Sequence, residues 1–266
     1  MKRNVDRLCG FGDSDVGKGS RRDHFMCIVF FDLDGTLAPL GKPIPGHVVD
    51  RLRELQNQAA TISLCSGKPV YYLTGLARQT GLDNLILIGE NGLSIQVGVD
   101  LPPRQQFRMP LPDGCGPTLE RVRELARGQF VGRVWEQTNE VAVSFIFPAG
   151  TLNQEFRDFV EQHVDWMKAG NVVAVEQKDA FDFLPLGVDK GNAVRTVLEI
   201  WGLKKQDALA VGDSYNDYPM FDACGDSIGI DLPDPHRAKR QADDIEQALE
   251  LVERFVFSRR QGEPAN

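Results

Sequence analysis

The amino-acid sequence predicts an α/β fold: a Rossmann-like parallel-sheet core with an inserted α+β domain. Three observations carry this. Short apolar runs alternate with stretches whose apolar residues recur at helical spacing. The ends of those runs bear polar, chemistry-bearing residues, as the C-terminal edge of a parallel sheet does. The alternation breaks between about Leu93 and Leu184 and resumes after Lys190.

The first run, Cys27-Ile28-Val29-Phe30-Phe31, reads as a buried strand with Gly35-Thr36 as its exit turn. Asp32 and Asp34 stand at its end, two residues apart. Two carboxylates so placed can cap a helix, but they also pair a nucleophile with an acid/base, which points to phosphoryl chemistry. A helix follows over about 46 to 59, with Val48, Val49, Leu52 and Leu55 on one face. The strand Thr61-Ile62-Ser63-Leu64-Cys65 ends at Ser66-Gly67-Lys68, and a second helix covers about 70 to 80. Leu85-Ile86-Leu87-Ile88 is the next strand, ending at Gly89-Glu90-Asn91-Gly92. Parallel strands joined this way require right-handed crossovers.

From about 93 to 184 the pattern changes to half-buried strands, at 141–147 and 172–175, and helices at 117–127 and 152–167. After Lys190 a helix to Trp201, a strand Ala208-Leu209-Ala210-Val211 and the loop Gly212-Asp213-Ser214-Tyr215-Asn216-Asp217 restore the βα order. A closing helix covers about 243 to 257. Residues 1–24 and 259–266 read as flexible ends, 25–92 and 186–258 as the core, and 93–185 as the insert, with Gly92 and Gly187 as hinges.

Composition narrows the class. The chain has 266 residues, 42% of them hydrophobic, enough for a sizeable core. A net charge of -8, a pI near 5.1 and the lack of a long basic run argue against a nucleic-acid partner. Five dispersed cysteines (Cys9, Cys27, Cys65, Cys115 and Cys224) form no CxxC pair. They disfavour a disulfide framework or a zinc site and suit a cytoplasmic protein. No apolar run is long enough for a membrane span. The segment from Gly12 to Gly19 approaches a P-loop, but Gly19 stands where Ser or Thr should hold magnesium. His24, His47, His163 and His236 are isolated, and Cys65 reads as packing. Arg237 to Arg240 reads as a solvated basic patch on a helix.

Four polar segments now stand in order: Asp32-Leu33-Asp34-Gly35-Thr36, Cys65-Ser66-Gly67, Lys190 before a helix, and Gly212-Asp213-Ser214-Tyr215-Asn216-Asp217. A lysine is poorly placed at a helix N-terminus unless it serves a site, and carboxylates four apart repel unless a cation lies between them. Order and spacing resemble the haloacid dehalogenase (HAD) superfamily of phosphatases over about residues 25 to 258. The insert resembles the α/β cap of the subgroup holding Cof-type sugar phosphatases, archaeal phosphoglycolate phosphatases and sucrose-phosphate phosphatase.

The resemblance implies the HAD fold and a magnesium-dependent phosphatase acting through an aspartyl-phosphate. Asp32 would be the nucleophile, Asp34 the acid/base and Lys190 the neutralising cation. Asp32, the Asp34 carbonyl and Asp213 would hold Mg2+, with Asp217 ligating or holding a metal water. Ser66 and Gly67 would bind phosphate, Glu90 and Asn91 would bind substrate or phosphate, and Asn216 would orient the metal loop or the substrate. Lys68 stands open between phosphate contact and solvent. The substrate would be a small phosphorylated metabolite, sugar phosphate or phosphoglycolate-like, and the protein a monomer or homodimer with no membrane partner. Two rival readings are a phosphomannomutase-like phosphoryl transferase and a non-catalytic phosphometabolite-binding protein.

Overall fold

The computed structural model describes residues 6–9, 27–82 and 84–261. In chain order the elements begin with β1 (Asp6–Cys9), β2 (Cys27–Phe31), α1 (Gly46–Asn57), β3 (Ala60–Cys65), α2 (Val70–Thr80) and β4 (Leu85–Gly89). Next come β5 (Ser94–Val97), β6 (Gln105–Arg108), α3 (Cys115–Gln129), β7 (Trp135–Gln137), β8 (Val143–Ile146), α4 (Asn153–Ala169), β9 (Val172–Glu176) and β10 (Ala180–Pro185). The chain closes with α5 (Lys190–Trp201), β11 (Ala208–Gly212), α6 (Tyr218–Ala223), β12 (Asp226–Ile230), β13 (Arg240–Ala242) and α7 (Ile245–Arg260).

Among the described residues, nine strands form one sheet in the order β1-β6-β5-β4-β3-β2-β11-β12-β13. The run from β4 to β13 is parallel, and β5, β6 and β1 extend it as antiparallel strands. Strand β2 lies inside this sheet and is buried on both faces, which explains its unbroken apolar sequence. Its period-2 alternation divides two cores. Cys27, Val29 and Phe31 pack with the apolar faces of α1, α2 and α7, while Ile28 and Phe30 pack with α5 and α6. The parallel fold class read from the sequence is therefore the observed one.

The second sheet has the order β7-β8-β10-β9 and is antiparallel throughout. One face carries Val143, Phe145, Phe181 and Phe183 against α3 and α4. Phe156 of α4 stacks on Phe130, Phe147 and Phe181 at centroid distances of 4.0, 5.2 and 5.2 Å. Burying a ring of this size contributes roughly 1.5–3 kcal/mol, so this aromatic cluster is the insert's own core. Alternation sends Ser144, Ile146, Ala180 and Asp182 to the opposite face, toward the large sheet.

Several boundaries differ from the sequence reading. Residues 94–108, assigned there to the insert, form a hairpin that pairs with β4 in the large sheet. Gln96 lies buried in it and accepts from Gln106 at 2.8 Å, so polar residues occupy an interior strand. The segment expected as a flexible N-terminal extension includes strand β1, paired with β6. The Gly12–Gly19 segment lies outside the described residues. Helix α7 reaches Arg260, past the expected start of the tail. Residues 237–240 do not form an α-helix: a 3-10 turn at Pro235–Arg237 leads into β13 at Arg240. A β-carbon at Gly92 would lie 2.4 Å from the Asp189 carbonyl oxygen, so this glycine is a tight crossing point rather than an open hinge. No helix among the described residues is long and apolar enough to cross a membrane.

Candidate active site

The C-terminal ends of β2, β3, β4 and β11 lie side by side in the parallel sheet, and each exit loop delivers polar groups to one edge. Asp32 leaves β2 with its N–H bonded to the Val211 carbonyl at 2.9 Å, which ties it to the neighbouring β11. The chain then turns tightly at Gly35. Its φ of +91° suits glycine, and any β-carbon would lie 2.3 Å from an Asp213 carboxylate oxygen. The Thr36 hydroxyl donates to Asp213 Oδ1 at 2.9 Å, locking the two loops together.

Lys190 opens α5 and is fully buried beneath these loops. Its Nζ lies 2.6 Å from Asp32 Oδ1 and 2.6 Å from Asp217 Oδ1. Asp217 Oδ2 accepts from the N–H groups of Asp213 (2.9 Å) and Ser214 (3.0 Å), closing the loop after β11 on itself. Oxygens of Asp32, Asp213 and Asp217 lie within 4.8 Å of one another. Three buried carboxylates thus share one ammonium. Burial raises the Asp32 carboxyl well above its usual range, against the Lys190 charge that lowers it, and Asp217 and Asp213 push the same way as burial. Burial and the Asp217 charge bring Asp213 up to about 6. Burial would lower Lys190, but Asp217 and Asp32 outweigh it and hold the ammonium above its ordinary value. A site so rich in oxygen ligands and so short of positive charge fits a hard divalent cation.

Asp34 sits at the cavity rim, about one-fifth exposed, 3.3 Å from the Lys68 ammonium. Its Oδ1 accepts from the Gly41 N–H at 3.1 Å. Ser66 is buried at the end of β3, and its hydroxyl accepts from the Lys68 N–H at 3.2 Å. A cavity of about 320 Å³ joins Asp32, Asp34, Ser66, Gly67, Lys68, Asp213 and Asn216. Lys68, left open by the sequence, lines this cavity with its side chain 18% exposed.

Glu90 and Asn91 stand elsewhere than the sequence suggested: neither lines this cavity. The Glu90 carboxylate accepts from the N–H groups of Glu140 (2.6 Å), Val141 (3.0 Å) and Ala142 (2.9 Å) in the insert. It is a buried strut between the two sheets, its acidity weakened chiefly by burial. Asn91 donates to Asp182 at 2.7 Å and accepts from Asn216 at 3.0 Å. That chain links the insert to the loop after β11. Among the described residues, Asn216 Oδ1 is buried with no hydrogen-bond partner.

A family profile described as haloacid dehalogenase-like hydrolase matches residues 29–101 and 136–245, more than half of the chain. The chain belongs to the haloacid dehalogenase-like hydrolase family. A phosphoglycolate phosphatase of Halobacterium salinarum is 29% identical over 223 residues, covering 80% of this chain and 88% of its own. One from Methanosarcina acetivorans is 27% identical over 224 residues, covering 84% and 91%. In structure, a haloacid dehalogenase-like hydrolase from Bacteroides thetaiotaomicron superposes with a TM-score of 0.68 at 18% identity, over 86% of this chain and 98% of that one.

For this hydrolase, the roof of the cavity is what sequence reasoning missed. Gln137, Ser144, Gln177, Lys178, Asp179 and Asp182 all line it from the insert. Gln137 donates to the Gly67 carbonyl at 2.9 Å, so roof and floor are bonded together. Burial raises the Asp182 carboxyl, while hydrogen bonds from Ser144, Asn91 and Gln177 lower it. One signal was available: Asp182 interrupts the apolar string Phe181-Asp182-Phe183. A carboxylate in a buried strand needs partners, and partners gather at sites.

Proposed function

We propose that the chain is a magnesium-dependent phosphatase that hydrolyses a small phosphorylated metabolite through an aspartyl-phosphate on Asp32. The observation that carries this is the buried Lys190–Asp32 contact of 2.6 Å at the floor of a cavity whose rim holds Asp34. A carboxylate attacking a phosphate dianion meets charge repulsion, and the ammonium on Asp32 offsets part of it. Asp32 forms the new bond to phosphorus as the bond to the leaving oxygen breaks. Asp34, in reach of the same cavity, gives that oxygen its proton. It then takes a proton from the water that attacks phosphorus and frees Asp32. Phosphate monoester hydrolysis needs acceleration of up to ~10²¹-fold, and splitting it into two displacements is one route to that. Ser66, Gly67 and Lys68 hold the remaining phosphate oxygens.

Asp32, Asp213 and the Asp34 carbonyl would hold Mg2+, which supplies charge neutralisation at the phosphate oxygens. Both oxygens of Asp217 already serve Lys190 and two backbone N–H groups, which suits it to shaping the loop. The matching phosphoglycolate phosphatases support hydrolysis of a small phosphorylated metabolite.

Release of inorganic phosphate from a panel of phosphorylated metabolites, with and without magnesium, tests this reading. Turnover that needs magnesium and is abolished by chelation is the expected result. Binding of phosphate esters without turnover, or transfer of the phosphoryl group to a second metabolite in place of water, would overturn it.

A further inference from the structure

We propose that the leaving group of the substrate is an uncharged alcohol carrying a ring, and that the ring lies in an aromatic slot formed by Leu40, Tyr72, Trp135 and Ile146. The proposal rests on the phosphatase reading above, because it uses Asp34 as the group that protonates the leaving oxygen.

A second space of about 490 Å³ opens from the nucleophile cavity between α2 and the roof sheet. The two spaces share Asp34, Leu40, Lys68, Gln137 and Ile146. When the phosphorus–oxygen bond breaks, the oxygen takes the Asp34 proton and a neutral alcohol departs. That alcohol must therefore stand where Asp34 stands, at the shared end, with the second space directly beyond it.

Strand register explains the character of this space. On the roof face, Trp135, Ile146 and Ala180 are opposite one another across β7, β8 and β10, and so are Gln137, Ser144 and Asp182. The face is thus two parallel rows, one apolar and one polar. The polar row meets the loops that hold Gly67 and Asn91. The apolar row runs out along the slot. Trp135 is 60% exposed, Leu40 51% and Tyr72 49%, a concentration of apolar surface that core packing does not explain. The Tyr71 hydroxyl donates to the Thr138 carbonyl at 2.9 Å and holds the two walls together at the rim.

Charge decides what the slot takes. Its charged lining residues are Asp34 and Lys68, 3.3 Å apart, and catalysis commits both, Lys68 to the phosphate and Asp34 to the leaving oxygen. Deeper in, Lys178 is 3.2 Å from Asp231, and Asp179 and Asp182 add further negative charge. A carboxylate on the leaving group finds no cation of its own among the described lining residues, so the leaving group is uncharged. Tryptophan and tyrosine offer rigid, flat area, which matches the face of a ring better than a flexible chain.

The test compares kcat/KM for ethyl, n-hexyl and cyclohexylmethyl phosphates and for phosphoglycolate. The three alkyl esters have similar leaving groups, so the chemical step is held nearly constant. The ring ester should exceed the ethyl ester by about tenfold, which is about 1.4 kcal/mol. In Trp135→Ala and Tyr72→Ala that ratio should fall toward one. Both side chains are about half exposed or more, so the core does not depend on them. A ratio near one in the unaltered protein, a hexyl ester as good as the ring ester, or phosphoglycolate as the best substrate would each overturn the proposal. Calorimetric binding of cyclohexylmethylphosphonate against ethylphosphonate reads the slot without turnover. Tighter ring binding with no hydrolysis of any ester would sink the phosphatase reading and keep the slot. Equal binding would sink the slot.

Discussion

Gly191→Ala is a one-methyl change outside the cavity that should disable it. A β-carbon at this position would lie 2.1 Å from the Pro219 carbonyl oxygen and 2.5 Å from its carbon. Real β-carbons essentially never approach closer than 3.0 Å, and the obstacle is backbone, so α5 must retreat from α6 by about 1 Å. Overpacking of this kind costs typically about 1–3 kcal/mol. Lys190 is the preceding residue, and its two 2.6 Å contacts stretch with the helix. Misplacement by about 1 Å can cost on the order of 10²-fold in rate. Urea denaturation and phosphate release should therefore show about 1–3 kcal/mol of lost stability with about a hundredfold lower kcat. A variant with unaltered stability and turnover would refute the claim that close packing of α5 on α6 sets the Lys190 position.

Other outcomes follow from the roof and its strut. Phe156→Ala removes the ring at the centre of the insert's aromatic cluster and should destabilise the insert by about 3–5 kcal/mol; denaturation followed at the Trp135 and Trp166 signal checks this, and a loss below about 1 kcal/mol would contradict it. Glu90→Ala leaves three backbone donors at 140–142 without their acceptor; the buried one at Ala142 costs roughly 1–3 kcal/mol, and the two part-buried ones less because water reaches them. Faster amide exchange at those positions is the expected reading, and unchanged protection would show that the strut is dispensable. Cys27, Cys65, Cys115 and Cys224 are buried, and burial raises the Cys27 thiol to about 12. All four should resist iodoacetamide near pH 8 until urea is added; rapid native-state labelling of any of them would contradict the packing described.

The parallel core was legible because its strands are buried on both faces: β2, β4 and β11 read as unbroken apolar runs, and β3 is interrupted only by the small Thr61 and Ser63, with polar residues at every exit. Lys190 stood out because a cation at a helix N-terminus opposes the dipole and needs a partner, here Asp32 and Asp217. What the sequence hid has a common cause: polar residues inside strands. Gln96 and Gln106 satisfy each other within the β5–β6 hairpin, so that hairpin lacks the apolar pattern of its neighbours. Asp226 begins β12 yet pairs with Arg240 of β13 at 2.8 Å, which masks both short strands. Asp182 depends on Asn91, a residue distant in the chain, so its place in the cavity roof could not be read locally. Glu90 illustrates the converse. The sequence placed it at the substrate, but its partners are backbone groups of the insert, which no side-chain pattern announces.

The central claim is that Asp32 is the residue that receives the phosphoryl group. Asp34→Asn should slow the attack of water more than the first displacement when the leaving group is a good one, such as an aryl phosphate, so the acyl phosphate accumulates. Borohydride added during that turnover reduces an aspartyl-phosphate to homoserine, and peptide mass spectrometry locates it. Homoserine at position 32, dependent on substrate and missing in Asp32→Asn, is the predicted result. Homoserine at another position, or undiminished phosphate release from Asp32→Asn, would contradict the mechanism.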